Sequence, residues 1–250
     1  MNLTQPSMHR HSGRRTAIVL AVLGVALTAA IATNVAIGST DYPPIQIIHI
    51  LAAGPSPDAA SQIIWEIRLP RAIASTLLGG SLALSGLLLQ VFFDNPIADP
   101  FVLGISSGAK LCVALLMIVV MGAGSVMTTW MSVAAAVTGS LLAMVLVLAV
   151  SRRVRSRGTL IVAGVMIGYI CSAATNFLIA FADDQSIVNL HNWSLGSFSG
   201  TSWTDIVAIA PTVAITAVAT FVLSKPLGAY QLGEDYAHSV GVSIRAFRSA

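Results

Sequence analysis

The sequence predicts an all-α fold, a polytopic transmembrane helical bundle of about six spans. Three observations lead there. The chain is 56% hydrophobic and only 9% charged, whereas a soluble domain carries about 25% charged residues. Its mean hydropathy is +0.84. The apolar residues are gathered into long uncharged runs with short polar segments between them. Each run is long enough to cross ~30 Å of hydrocarbon at ~1.5 Å rise per residue. No long polar block is present that would form a separate soluble domain.

The elements follow in order. Residues 1–15 are polar, with Arg10, Arg14 and Arg15, and form an N-terminal tail. Thr16 to Thr40 is uncharged and forms the first span; it is longer than the apolar core of a cleaved signal peptide, so it is expected to be retained. Asp41 to Glu66 reads as a loop punctuated by Pro43, Pro44, Pro55 and Pro57, with a short interfacial helix over Ile45 to Leu51. The second span is Ala72 to Phe93, with Arg68 and Arg71 before it and Pro70 making Arg68 pre-helical. The third lies within Phe101 to Gly122 and contains Lys110, whose long stem is expected to snorkel to the interface. Leu111 to Ser151 carries no charge, too long a run for one span, and Gly122 to Ser125 supplies the turn. The fourth span is Met127 to Val150, followed by a basic loop with Arg152, Arg153, Arg155 and Arg157. The fifth is Gly158 to Ala182, a loop with Asp183 and Asp184 comes next, and the sixth is Ile206 to Ser224. Residues 16–224 thus form the transmembrane domain and 225–250 a polar C-terminal region. Six spans return the chain to its starting side. The basic clusters fall on that side, which predicts a cytoplasmic N-terminus.

Small residues recur within the spans. Ser75 and Gly79, and Ser81 and Ser85, are four apart, as are Gly164, Gly168 and Ser172. That spacing gives a helix face on which another backbone can approach closely. After the second span, Asp94, Asn95, Pro96, Asp99 and Pro100 form a rigid polar turn.

Several functions are excluded or disfavoured. A net charge of +3 is spent at span ends and offers no basic and aromatic surface for nucleic acid. Cys112 and Cys171 lie in apolar runs, and no Cys/His cluster has metal-ligand spacing. A Walker A loop needs Gly before Lys, but Lys110 and Lys225 follow Ala109 and Ser224. Energy for any pumping must come from another subunit or an ion gradient. Gly104 to Gly108 fits G-x-S-x-G, the serine-hydrolase signature. The strand–turn–helix context is absent and His9, His11, His49, His191 and His238 all lie outside the spans, so tight packing explains these glycines better.

Taken together, Arg68-Leu69-Pro70-Arg71, Leu82 to Gly86, Asn95 to Pro100, Leu103 to Gly108, Ala163-Gly164, Trp193 to Gly200 and Leu232 to Gly241 stand in a specific order. With these motifs the chain resembles the FecCD-type permease subunits of ABC importers for iron-siderophores, haem and cobalamin. The resemblance covers most of Trp65 to Arg248. It implies a permease subunit that is not itself an enzyme, binds no cofactor and has no catalytic or metal-binding residues. It works by alternating access in the bacterial cytoplasmic membrane. Its partners would be ABC ATPase subunits, a periplasmic or lipid-anchored substrate-binding protein, and a second permease subunit. Arg68 and Arg71 would dock the binding protein. Asn95, Pro96 and Ile97, Arg157 and Gly158, and Asn176 would line or gate the pathway. Leu232, Gly233, Glu234, Asp235 and Gly241 would form the ATPase-coupling region within 225–250. The resemblance also implies about four further spans beyond Ala250, so the chain reads as C-terminally shortened. An ion-coupled secondary transporter is the alternative from another class, and an intramembrane serine hydrolase using Ser106 a weaker one.

Overall fold

The computed structural model describes residues 9–122, 125, 127–151 and 157–243, with the side chains of residues 9–12, 102, 121, 122, 151, 157 and 234 outside the described set. Among the described residues every regular element is helical, and the chain is an all-α polytopic membrane bundle. The helices are α1 (His9–Ala36), α2 (Pro44–Ala53), α3 (Ala59–Gln62), α4 (Leu69–Phe93), α5 (Ile105–Gly122), α6 (Thr129–Ser151), α7 (Arg157–Ile179), α8 (Asp184–Leu195), α9 (Trp203–Val222), α10 (Ser224–Gln231) and α11 (Glu234–Ser239). A π-helical segment (Ile63–Arg68) joins α3 to α4, and a 3₁₀ turn (Pro100–Leu103) precedes α5. Five helical stretches are long and apolar enough to cross a membrane; α5 is apolar but shorter. The residues group into two compact units, Met1–Gly79 with Phe198–Val213, and Gly80–Ser197 with Ala214–Ala250.

In the first unit, helix begins earlier than the sequence suggests. The expected loop to Glu66 contains α2, as anticipated, but also a continuous helical run from Ala59. Arg68 is therefore inside the helix, not ahead of it. Asp58 caps that run, its carboxylate accepting from the Ser61 N–H at 3.0 Å. Pro70 is tolerated inside the helix because the ladder widens just before it. The Leu69 N–H reaches back five residues to the Ile64 carbonyl, and Pro70 has no N–H to give. The Trp65 carbonyl is thereby left without a helical donor. The Trp203 indole, at the start of α9, donates to it at 2.9 Å, and the Trp65 indole in turn donates to the Ile50 carbonyl at 3.3 Å. The unit's core is Val35, Ile47, Ile64 and Ala72. α1 joins it only through its last turns, with Ile31, Val35 and Ala36, and its membrane-length stretch is otherwise unburied.

In the second unit α5 packs between α6 and α7 through glycines. A Cβ on Gly104 would lie 2.7 Å from the Gly168 nitrogen and 2.8 Å from the Gly164 carbonyl oxygen. A Cβ on Gly139 would lie 2.2 Å from the Gly108 carbonyl oxygen. Gly104 also has φ +72, in the left-handed region. The chain between α4 and α5 folds back against α7. It runs through Pro100–Leu103 until Gly104 meets Gly168, the central residue of α7. The G-x-S-x-G run is thus a packing device, as its glycines suggested. The Gly164/Gly168 face is engaged in the same way, whereas Gly79, Gly80 and Gly86 of α4 face open space.

Gly104→Ala and Gly139→Ala are each expected to destabilise the bundle by about 3 kcal/mol or more, through overpacking against backbone and, at Gly104, a forbidden φ. Gly86→Ala, with nothing within 4 Å, is expected to be neutral or to stabilise by up to about 1 kcal/mol. Thermal unfolding in detergent with a size-exclusion readout measures the difference.

Candidate functional site

The residues singled out by the sequence fall into separate clusters. At the head of α4, Arg68 is buried, with 5% exposure. Its guanidinium donates to the carbonyls of Val35 (3.0 Å), Ala36 (2.8 Å) and Thr40 and lies 5.4 Å from the centre of the Tyr42 ring. Val35 and Ala36 end α1, where carbonyls have no helical donor and the dipole is negative. Arg68 thus caps α1. A Cβ on Gly38 would sit 2.6 Å from its Nη2, so the turn after α1 is shaped to admit the guanidinium. Arg71 is half-buried, and its Nε is buried with no hydrogen-bond partner. Of the two arginines, Arg68 is committed to the chain's own backbone and Arg71 is not.

The polar turn after α4 is built by its own side chains. The Asn95 Oδ1 accepts from the Ile97 N–H at 3.0 Å and Asp99 Oδ1 from the Phe101 N–H at 2.6 Å. Asp94 adopts φ 52, and Ile97 is 83% exposed although apolar. Gly158 is exposed in the first turn of α7. Arg157 is the first residue of that helix, and the rest of the basic loop, 152–156, lies outside the described residues. Asn176 is exposed on α7, and its amide has no hydrogen-bond partner among the described residues. One turn back, the Ser172 hydroxyl donates to the Ser107 Oγ at 3.4 Å, bridging α7 and α5.

The C-terminal region forms two short helices, α10 and α11. Leu227 and Tyr230 of α10 are buried against Val91 and Leu88 of α4. Leu232 is 70% exposed, and Asp235 and Gly241 are exposed. Gly233 (φ 114) and Gly241 (φ 86) bracket α11 with left-handed backbone.

Two acidic caps have carboxyls held below the usual range. Asp58 is lowered first by the Ser56 hydroxyl and then by the Ser61 N–H; Asp183 by the Ser186 hydroxyl and then its N–H, at 2.7 and 3.0 Å. Asp183 caps α8, whose Leu190 is buried against Val113 and Met117 of α5. Cys112 and Cys171 are free thiols, and no group of three or more His, Cys, Asp or Glu that could hold a metal occurs among the described residues. The residues that the sequence alone did not reveal are Trp203 and Gly38. Neither stands in a motif; Trp203 answers an orphaned carbonyl and Gly38 leaves room for the Arg68 guanidinium.

The profile of the FecCD transport family matches residues 20–250, and the chain belongs to that family. It is similar to the hemin transport system permease protein of Yersinia pestis, 32% identical over 84% of this chain and 64% of that protein. It is also similar to the vitamin B12 import system permease proteins of Yersinia enterocolitica (36% identical, 74% of this chain, 55% of that protein) and Klebsiella pneumoniae (37%, 74% and 55%). The chain therefore spans between about half and two thirds of the length of these relatives. Among solved structures, an inward-facing metal-chelate type ABC transporter shares its fold, with a TM-score of 0.76 at 23% identity over 92% of this chain and 70% of that one.

Two outcomes follow. Arg68→Ala strips three carbonyls of their donor and is expected to cost about 3 kcal/mol, with faster proteolysis between Ile37 and Tyr42; Arg68→Lys rescues little, because an ammonium lacks the fork. Asp183 has a depressed folded-state pKa, so its contribution is full above its unfolded value near ~3.9 and is lost as pH falls through the folded value. Tryptophan fluorescence of α8, through Trp193, is expected to report loosening of that helix only below about pH 4, with Asp183→Ala showing it at neutral pH.

Proposed function

We propose that this chain is a permease subunit of an ATP-driven importer that moves a metal chelate, of the iron-siderophore, haem or cobalamin kind, across the bacterial cytoplasmic membrane with its N-terminus inside. The observation that carries the reading is the family match along 20–250 on a bundle that has no nucleotide-binding loop of its own. The relatives named above are a hemin and two vitamin B12 permeases, which favours a large tetrapyrrole-type or related chelate over a bare ion. The lack of a metal-ligating cluster among the described residues fits a path that passes chelates without stripping the metal.

In this reading an ATPase, an extracytoplasmic binding protein and a second permease subunit complete the machine. Of the two arginines, Arg71 is the better placed to meet an acidic docking partner, since Arg68 is occupied by α1. The Asn95-Pro96-Ile97 turn, Arg157 and Gly158, and Asn176 belong to the gate and the wall. A turn fixed by its own side chains, with an exposed Ile97 at its tip, is a stiff element suited to closing a path. The exposed Leu232, with Gly233, Glu234, Asp235 and Gly241, forms the knob that seats in the ATPase. α10 anchors that knob to α4 through Leu227 and Tyr230, so force applied there is delivered to α4.

Affinity purification from native membranes is expected to recover an ABC ATPase and a binding protein. Deleting Leu232 to Gly241 is expected to remove the ATPase and leave membrane insertion intact. Arg71→Glu is expected to weaken binding-protein affinity about tenfold, more at low salt. Recovery of neither partner with well-folded protein would sink the importer reading, and an unchanged affinity would remove Arg71 from the docking surface.

A further inference from the structure

The level of Lys110 in the bundle follows from the register of α5. The register of α5 is fixed by two independent close approaches, Gly104 on Gly168 and Gly108 on Gly139. Gly168 is the central residue of α7, and Gly139 is one residue from the centre of α6. α5 therefore begins at mid-depth of both neighbours. Lys110 lies two residues beyond Gly108 and six beyond Gly104, ~3 Å and ~9 Å further along the axis. A lysine stem reaches ~6 Å, and half the hydrocarbon thickness is ~15 Å. The ammonium therefore lies within the hydrocarbon layer unless the stem is fully extended toward the nearer surface.

The position is electrostatically unsatisfied. Lys110 is half-buried, and no acidic side chain pairs with it among the described residues. It stands in the second turn of α5, where the backbone dipole disfavours a cation. Ser107 and Ser106 lie three and four residues before it, on the same helix face. Ser106 is exposed, and Ser107 is linked to Ser172 of α7. A charge within the hydrocarbon layer without a partner marks a solute path more often than a structural contact.

We propose that Lys110 is an anion-contacting residue along the transport path, where it holds an acidic group, carboxylate or phosphate-like, of the solute passing beside α5. The inference rests on the importer reading and narrows it to chelates that carry negative charge. Ser106 and Ser107 supply hydroxyl donors to the same group, and the space beside them is wet.

The test is a charge-selective labelling of a reporter thiol in the membrane-embedded chain. Cys112→Ser and Cys171→Ala remove the native thiols, and Ser106→Cys introduces the reporter. Its reaction rates with an anionic (sulfonatoethyl) and a cationic (trimethylammonioethyl) methanethiosulfonate are compared. The anion-to-cation rate ratio is expected to fall about tenfold on Lys110→Gln and to stay within about twofold on Lys110→Arg. Hemin, a dicarboxylate chelate, is expected to slow labelling with Lys110 or Lys110→Arg and not with Lys110→Gln. A ratio indifferent to residue 110 overturns the proposal, whether a partner's carboxylate neutralises the lysine or the lysine faces elsewhere. So does a reporter that only membrane-permeant N-ethylmaleimide modifies, or that nothing modifies, since the site is then dry. None of these readings needs the ATPase, so failure to co-purify an ATPase counts against the importer reading alone.

Discussion

The second unit depends on backbone meeting backbone at Gly104/Gly168 and Gly108/Gly139. In lipid there is no hydrophobic drive to press one apolar helix on another, so association rests on close packing and polar contacts. Glycines supply that packing here on three helices at once. They also set depth. A side chain at Gly104 or Gly139 would hold α5 away from its neighbours, and the chain between α4 and α5 would lose its contact with α7. The polar turn at Asn95, the position of Lys110 and the Ser107–Ser172 bridge all inherit their level in the bundle from that register.

Irregular backbone within a membrane protein must satisfy its own polar groups. The chain between α4 and α5 does so with side chains close in sequence. Asn95 and Asp99 each accept from an N–H two residues on, and Gly104 closes the turn onto the Phe101 carbonyl. The first unit solves the same problem over longer distances. Pro70 and the widened ladder before it orphan the Trp65 carbonyl, and an indole from α9 answers it. The carbonyls at the end of α1 are answered by Arg68, thirty-odd residues later in the chain. A proline or a helix end thus creates a need whose remedy is remote in sequence.

That contrast accounts for what the sequence made legible. Long uncharged runs reveal spans because hydrocarbon forbids charge, and the glycine spacing on α7 reveals a packing face because helical period is local. The turn at Asn95 to Pro100 is legible for the same reason. The start of the second helix was misplaced at Ala72 because prolines and charges between Asp41 and Glu66 mimic a loop; the Asp58 cap and the π segment allow a helix there instead. The contacts that set the level of Lys110 within the bundle, Gly104 on Gly168 and Gly108 on Gly139, are made across helices and leave no local signal in the sequence.

Arg68 carries the sharpest consequence for the docking idea. A guanidinium has five donors, and three carbonyls now hold its terminal nitrogens while Tyr42 lies against it. A carboxylate arriving from a partner would be the stronger acceptor, but it could reach Arg68 only by opening the turn at Gly38, which has no room to spare. Taking the charge away would leave the end of α1 uncapped, and α1 has almost no other hold on its unit. The two uses of Arg68 are therefore exclusive. Arg71, with a buried Nε and no acceptor, has no such conflict. An acidic group brought to this end of α4 would meet Arg71 at no cost to the fold, and Arg68 only at the cost of α1.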